Sequence, residues 1–355
     1  MLKVNKVNLK TIVKTNELGN SRLEFNLSGP NMNYIVANTI RRTIFNDIPI
    51  YVFDEFKFDK NTSIFHNNYL KLRLRNMPVW SIENTVDFLD NAHIKKPIDK
   101  VNEDQDENTE AGDEVELDIE KILNSSTLKQ LTMYINYKNK LNDIVTVTTN
   151  DAKFYYGEKQ IPSPYKTGIP IIKLQPNQEI AFSAITKIGT EQEDAMYSAV
   201  CVNYYNQINE NEFLFVIESR GQITEKRIVQ VALINIERRI KNFIKLLLDN
   251  QVKSDDKDKA DEKIKLDNKV KSDNNENNGI IIVNNEDHTL GNLIARGLQT
   301  HDKVDFAGYN LPHPLAKKVH FHYKLKNGDI KKVLEDVVEY YSDLYAQIKK
   351  SVDTI

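Results

Sequence analysis

Ile228, Val231, Ala232, Ile236, Ile240, Phe243, Ile244 and Leu247 recur at spacings of three and four. This predicts a helix from about Glu225 to Leu248 with one continuous apolar face. A second helix of the same kind is predicted from about Ile330 to Ser351, with Leu334, Val337, Val338, Tyr341, Tyr345 and Ile348 on one side. A long helix with a bare apolar face must cover that face against another element. The order of elements upstream repeats as well: strands, a shorter helix with a polar motif at its start, more strands, then the long closing helix. Two such units can pair pseudo-symmetrically through their apolar helix faces.

In the first unit, Val7, Leu9 and Ile12, then Leu23, Phe25 and Leu27, read as strands around a turn at Glu17 to Asn20. Gly29-Pro30-Asn31 offers a helix cap, and Val36, Ile40, Ile44 and Ile48 form an apolar stripe that leaves Arg41 on its polar shoulder. Pro49 ends that helix, and Tyr51 to Phe58 resumes strand composition. In the last unit, Ile280–Val283 reads as a buried strand. Leu290, Leu293, Ile294, Gly297 and Leu298 follow as a helix with Asp287 or Thr289 as cap, and Gly291 permits close approach of backbone, most simply to the partner half. Val319–Leu325 is a strand and Asn327-Gly328 a hairpin-type turn.

Between the units, Leu131–Tyr137 and Ile144–Thr149 read as strands, and Ile161 to Pro176 as proline-punctuated coil. Val101 to Glu120 holds no Lys or Arg and is crowded with Asp and Glu, so it reads as a solvated inserted loop, with an acidic docking arm as the functional alternative. Lys253 to Asn278 has no aromatic residue and is nearly all Lys, Asp, Glu and Asn. It reads as a flexible linker, with a span of ~30 Å that lets the last unit fold back on the first. The expected fold class is therefore α+β. A first unit comprises 1–59 and 213–250, an inserted mainly β domain 60–212 with its acidic loop 101–120, a linker 251–278, and a second unit 279–355.

Composition excludes several functions. The formal net charge of -3 gives no whole-chain footprint for nucleic acid. Cys201 is the only cysteine, so an intrachain disulfide and a multi-cysteine zinc site are both excluded. His320 and His322 share a strand face and could hold a metal, but a solvated face is the simpler reading. The first residues lack the apolar core of a signal peptide, and no apolar run reaches the ~20 residues of a membrane span. The expectation is a reducing compartment and no membrane. Neither a nucleophile–base pair nor a carboxylate metal cluster nor a phosphate-binding glycine loop is legible, so no catalytic residue, metal or cofactor is expected of this chain.

Asn285-Glu286-Asp287-His288-Thr289-Leu290-Gly291-Asn292-Leu293-Ile294, followed by Phe306-Ala307-Gly308-Tyr309-Asn310-Leu311-Pro312-His313-Pro314-Leu315, resembles the eleventh-subunit-type partner of eukaryotic RNA polymerase II, which is also the archaeal L subunit. Ala37-Asn38-Thr39-Ile40-Arg41-Arg42, Ile48-Pro49, Asn61-Thr62-Ser63, Leu72-Arg73-Leu74, Met77-Pro78 and Phe215 to Gly221 are similar to the third-subunit family, the archaeal D subunit and the bacterial α-subunit amino-terminal domain. Arg75 stands where that family often has glycine, and the single cysteine rules out the cysteine-rich metal loop of several members.

The resemblance implies two dimerisation units fused in one chain, paired intramolecularly as a pseudo-heterodimer. It implies a non-catalytic assembly platform for the two largest RNA polymerase subunits, with a small tenth- or twelfth-subunit-type protein as a further partner and DNA reached only indirectly. Asn38, Arg41 and Arg42 are then candidates for the second-largest subunit, since a guanidinium holds carboxylates and carbonyls in fixed geometry; the alternative is that both arginines decorate a helix surface. Arg73, Pro78, His288, Thr289, Leu290, Gly291, Asn292, Phe306, Gly308, Tyr309, His313 and Pro314 complete the candidate subunit-interface set. His288, Thr289, Gly291 and Asn292 read equally as a cap and tight helix start, and His313 as a packed or hydrogen-bonding residue in a rigid turn.

Fused partners of this kind resemble those of large cytoplasmic DNA viruses, and the abundance of Asn and Lys fits an AT-rich genome. The implied location is the host cytoplasm, in virus factory and virion, or the nucleus if the chain is cellular. The competing class is a freestanding interaction scaffold serving another complex. Cleavage between Lys253 and Asn278 is expected to leave the two halves associated on gel filtration, because the helix faces hold them and the tether does not.

Overall fold

The two apolar-faced helices lie against each other, and each belongs to its own four-stranded sheet. A computed structural model describes residues 7–15, 22–79, 130–249, 269–272, 277–313 and 317–354. In the first unit β1 (Asn8–Thr15), β2 (Arg22–Ser28), β10 (Val200–Asn209) and β11 (Glu212–Ser219) form an antiparallel sheet of order β1-β2-β11-β10. Helix α1 (Tyr34–Asn46) follows β2, and α3 (Glu225–Asp249) follows β11. In the second unit β12 (Lys269–Ser272), β13 (Asn278–Asn284), β14 (Val304–Asn310) and β15 (Lys318–Leu325) form an antiparallel sheet of order β12-β13-β15-β14. Here α4 (His288–Thr300) follows β13, and α5 (Ile330–Asp353) follows β15. Strand order and helix placement are therefore the same in both units.

The shorter helices match closely. Each has 13 residues, capped by Asn33 in α1 and Asp287 in α4. With the caps aligned, Ala37-Asn38-Thr39-Ile40-Arg41-Arg42 falls on Gly291-Asn292-Leu293-Ile294-Ala295-Arg296. The longer helices run antiparallel. Lys226 Nζ and Gln230 Nε2 at the start of α3 donate to the carbonyl and carboxylate of Asp353 at the end of α5, at 2.9 and 2.7 Å. Val231, Leu233, Ile236 and Ile240 on α3 are buried, as are Val337, Tyr341, Leu344 and Ile348 on α5. Phe243 of α3 also packs edge-on against Phe321 of β15, with centroids 5.8 Å apart.

The inserted region forms a five-stranded sheet, β3-β9-β4-β6-β7, from β3 (Ile50–Asn61), β4 (Leu131–Lys138), β6 (Ala152–Tyr156), β7 (Lys159–Ile161) and β9 (Glu179–Gly189). A two-stranded ladder of β5 (Val145–Thr148) and β8 (Pro170–Leu174) and a helix α2 (Asn67–Arg75) accompany it. Its limits differ from the expected 60–212. The sheet takes in β3 from Ile50, and β10 pairs with β11 across the Glu210-Asn211 turn, so the chain is back in the first unit by Val200. A turn this short makes β11 a neighbour of β10, and β11 pairs with β2 on its other side. The side chain of Gln222 ties the two bodies by bonding the backbone of Tyr51, accepting from its N–H at 2.7 Å and donating to its carbonyl at 2.8 Å.

Other expectations also change. The cap of α1 is Asn33, whose Oδ1 accepts from Ile35 and Val36 N–H at 3.0 and 3.1 Å, while Asn31 bonds the Tyr340 hydroxyl instead. The Asn327-Gly328 turn leads into α5 and not into a second strand; Gly328 takes φ +95° and Asp329 caps the helix. Lys269–Ser272, inside the expected linker, pair with β13. The acidic stretch 101–120 and Pro314 lie outside the described residues.

Gly297 lets α4 approach α5. A Cβ there would lie 2.4 Å from Val337 Cγ1 and 2.8 Å from Tyr341 Cε2, both on buried side chains. Gly297→Ala is expected to cost about 1–3 kcal/mol in urea unfolding, although alanine gains about 1 kcal/mol of helix propensity. A variant more stable than the parent would contradict this packing.

Candidate functional site

The motif at the end of α1 and the motif at the start of α4 meet. Arg42 Nε donates to Thr289 Oγ1 at 2.8 Å, and its Nη2 lies 3.5 Å from Asp287 Oδ2. Asp287 also caps α4, accepting from the Thr289 N–H at 2.8 Å and from its hydroxyl at 3.2 Å. Such a cap is worth about 1 kcal/mol by itself and is favoured by the positive end of the helix dipole. One carboxylate thus starts a helix in the second unit and holds an arginine from the first.

Arg239, midway along α3, is the hub. Its guanidinium donates to Asp47 Oδ2 at 3.2 Å, Glu286 Oε2 at 2.5 Å and Asp287 Oδ1 at 2.9 Å. Asp47 is the C-cap of α1, and its carbonyl accepts from Asn235 Nδ2 at 2.8 Å. Side-chain exposure is 21% for Arg239, 14% for Glu286 and 24% for Asp287, so water reaches the cluster only at its rim. Three carboxylates face the guanidiniums of Arg239 and Arg42.

Burial alone would lower the pKa of Arg239, but the charges of Glu286, Asp47 and Asp287 outweigh it and raise the value. Glu286 is raised by burial, with Arg239 offsetting part of the rise, and Asp47 is raised for the same reason. Burial would raise Asp287 too, yet Arg239 and the Thr289 bonds hold it below the usual carboxylate range. All of these groups are spent on one another, which makes the cluster a joint and not a reaction centre. Among the described residues no group of three or more His, Cys, Asp or Glu could hold a metal ion.

The other expected site residues fall at several places. Asn38 Oδ1 accepts from Arg41 Nε and Nη2, both at 3.0 Å, and Arg41 lies over the Phe45 ring at 5.9 Å. Leu290 and Gly291 are buried and Asn292 is half-buried. A Cβ on Gly291 would meet Tyr309 Cδ2 at 2.8 Å and Val319 Cγ1 at 3.3 Å, so this glycine admits side chains of its own unit and not the other half. Tyr309 hydrogen-bonds His288 Nδ1 at 3.3 Å. Phe306 on β14 is exposed, Gly308 half-buried beside it, and His313 exposed. Arg73 Nη2 donates to the Pro170 carbonyl at 2.9 Å, and Pro78 is half-buried, both in the inserted region.

The sequence reading missed Arg239, Asp47 and Glu286 as functional residues. It also missed Arg220, whose guanidinium donates to the carbonyls of Met196, Ser198 and Asn76 at 2.8, 3.2 and 3.2 Å and joins the first unit to the insert. Burial lowers the Arg220 pKa. Arg239 gave no local signal, because α3 carries many other charged side chains, Arg238 beside it among them. Arg75 pairs with Asp54 at 2.7 Å.

Comparison with known proteins points the same way as the motifs. Residues 278–351, from the start of β13 almost to the end of α5, match the RNA polymerase Rpb3/Rpb11 dimerisation domain family. A protein of Acanthamoeba polyphaga mimivirus with the provisional name DNA directed RNA polymerase subunit R470 is 25% identical over 341 residues, covering 92% of this chain and 89% of its own length. The RPB3 subunit of Schizosaccharomyces pombe RNA polymerase II is 25% identical over 212 residues, covering 58% of this chain and 64% of its own. A Caenorhabditis elegans protein, provisionally named subunit RPAC2 of RNA polymerases I and III, is 36% identical over 78 residues, or 21% of this chain and 54% of its own. The chain thus spans about half to two thirds of these two eukaryotic relatives and nearly all of the viral one. Its homologues are RNA polymerase subunits.

Arg239→Met is expected to cost about 3 kcal/mol in urea unfolding at pH 7, the lower end for a broken buried pair because the rim is wet. The pH dependence has a definite sign. In the parent, Asp287 contributes stability above its unfolded pKa that is lost as pH falls through its depressed folded value, whereas the cost of ionised Glu286 and Asp47 is relieved as pH falls through their raised values. Without Arg239 the three carboxylates lose a counter-charge they share, Asp287 keeping only Arg42, and shift upward, so the deficit should shrink between pH 7 and about pH 5. An equal deficit at both pH values would show that packing, and not charge, is what was lost.

Proposed function

We propose that this chain is a non-catalytic assembly subunit of a multisubunit DNA-directed RNA polymerase. Its third-subunit-like and eleventh-subunit-like dimerisation units, fused in one chain, pair as a pseudo-heterodimer and form the platform on which the two largest subunits come together. The observation that carries this reading is the Arg42–Thr289 bond, in which the polymerase-like motifs of the two units, 247 residues apart, satisfy each other. The match of a viral polymerase-subunit homologue over 92% of the chain supports it, since that alignment spans both units.

On this reading the surface left for the large subunits is the outer shoulder of α1 and the insert. Arg42 is occupied inside the chain, which leaves Asn38 and Arg41 as the contact for the second-largest subunit. Arg73 and Pro78 lie on the insert beside exposed Tyr69 and Leu72, and Phe306 and His313 lie on the second unit. A tenth- or twelfth-subunit-type protein would take one of these apolar surfaces. Catalysis and its metal belong to the large subunits, and DNA is reached through them. The place of action is the transcription machinery, in a virus factory of the host cytoplasm if the chain is viral. No helix among the described residues is long and apolar enough to cross a membrane.

Asn38→Ala combined with Arg41→Ala is expected to leave the isolated chain folded while recovery of the two large subunits with the tagged chain falls about thirty-fold, the loss of one interface hot spot. Arg42→Ala, by contrast, should lower the stability of the isolated chain. Undiminished recovery of the large subunits by the double variant would remove Asn38 and Arg41 from the interface.

A further inference from the structure

The repeated architecture gives every contact between the units a counterpart on the other side, and the two counterparts here are chemically unlike. With α1 and α4 aligned on their caps, Glu286 and Asp287 correspond to Met32 and Asn33. With α3 and α5 aligned on the residues that start them, Thr224 and Asp329, Arg239 corresponds to Leu344. One side of the pairing surface therefore sets two carboxylates of the second unit against a guanidinium of the first. The other side sets Met32 in the first unit's cap loop and Leu344 in the second unit's long helix, both fully buried. The bond from Asn31 Nδ2 to the Tyr340 hydroxyl, at 2.9 Å, fixes that loop against α5.

We infer that this unlike pair of contacts is a partner-selection device: it makes each unit pair with the other and refuse a second copy of itself. The inference rests on the reading of both units as dimerisation modules. If two first units met in the same geometry, Arg239 would face Met32 at both sites, keeping only its own Asp47 and losing Glu286 and Asp287 twice over. If two second units met, Glu286 and Asp287 would face Leu344 in place of Arg239 at both sites, leaving them Arg296, the counterpart of Arg42. Each wrong pair breaks the Arg239 contacts to Glu286 and Asp287 at two sites, and removing one partner of a buried ion pair is costly even where replacing the whole pair by apolar groups is not. The right pair keeps the ion cluster whole on one side and buries Met32 and Leu344 on the other. Selectivity thus comes from a penalty on the wrong partners and not from extra affinity for the right one.

A tether brings the two units of one chain together at an effective concentration of ~1 mM, yet crowded nascent chains expose the same faces to each other. Two chains paired first-to-first and second-to-second would satisfy both apolar seams and close into a dimer. The seam of α3 and α5 does not forbid this, because apolar faces accept one another without regard to origin. The charged contact supplies the missing discrimination.

The test uses the full chain with a protease site placed between 253 and 268, ahead of β12. Two versions differing only in an N-terminal tag are mixed unfolded, refolded together and cleaved, and one tag is captured. The parent is expected to bring down C-terminal pieces and none of the other tagged N-terminal piece. The variant Asp47→Asn, Arg239→Leu, Glu286→Met, Asp287→Asn gives Arg239, Glu286 and Asp287 the residues of their counterparts Leu344, Met32 and Asn33 and removes the charge of Asp47. It should fold and bring down the other N-terminal piece in an amount comparable to the C-terminal piece. A folded variant that still captures only C-terminal pieces would overturn the inference, as would a parent that captures the other N-terminal piece.

Should the fourfold variant fail to fold, the reciprocal swap decides. Arg239→Glu or Glu286→Arg alone should shed the C-terminal piece after cleavage at least tenfold faster than the parent, and the two together should retain it. No recovery in the double variant would again overturn the inference. If the cleaved parent itself fell apart, the pairing of the two units would be wrong, which is a separate failure.

Discussion

Helices of 25 and 24 residues, each apolar along one face, cannot both stay bare in water, and α3 and α5 cover each other. Their antiparallel seam fixes the distance between the two sheets and the position of everything carried on them. Because α3 begins at β11 and α5 at β15, burying one helix on the other brings the ends of α1 and α4 together. Only then can Arg42 reach Thr289 and Arg239 reach Glu286 and Asp287. The non-directional apolar term brings the units together, and the directional charged contacts set which units they are.

The division of labour is visible in magnitudes. Burying a large aliphatic or aromatic side chain contributes about 1.5–3 kcal/mol, and the seam contains many. A partly buried ion cluster contributes little net stability once desolvation is counted, but it costs several kcal/mol when one member is missing. The cluster therefore adds less to the stability of the fold than to its uniqueness. Asp287 shows this economy: it caps α4, holds Arg42 and closes on Arg239 with one carboxylate.

Much of this was legible in the sequence, and for physical reasons. The α3 helix predicted over Glu225 to Leu248 spans Glu225–Asp249, and α5 predicted over Ile330 to Ser351 spans Ile330–Asp353, because a long apolar stripe at helical spacing has few other solutions. The α+β class followed from the order of elements. What escaped was nonlocal. That Arg42 and Thr289 touch is a property of the seam, which no local pattern announces. Arg239 was hidden on the shoulder of a stripe whose apolar members drew the reading. Strand β12 was hidden because Lys-Val-Lys-Ser has the polar composition of a linker, as edge strands commonly do. The closing of β10 onto β11 depended on a two-residue turn of Glu210-Asn211, which lacks the glycine that usually marks one.

On the proposed function, one chain supplies both members of a polymerase's assembly pair. Native mass spectrometry of the polymerase purified through a tag on this chain, from the cells that produce it, counts those members. A single copy of this chain with one copy of each large subunit and no separate small eleventh-subunit-type protein is expected. Two copies of the chain per enzyme, or one copy accompanied by such a small partner, would contradict it.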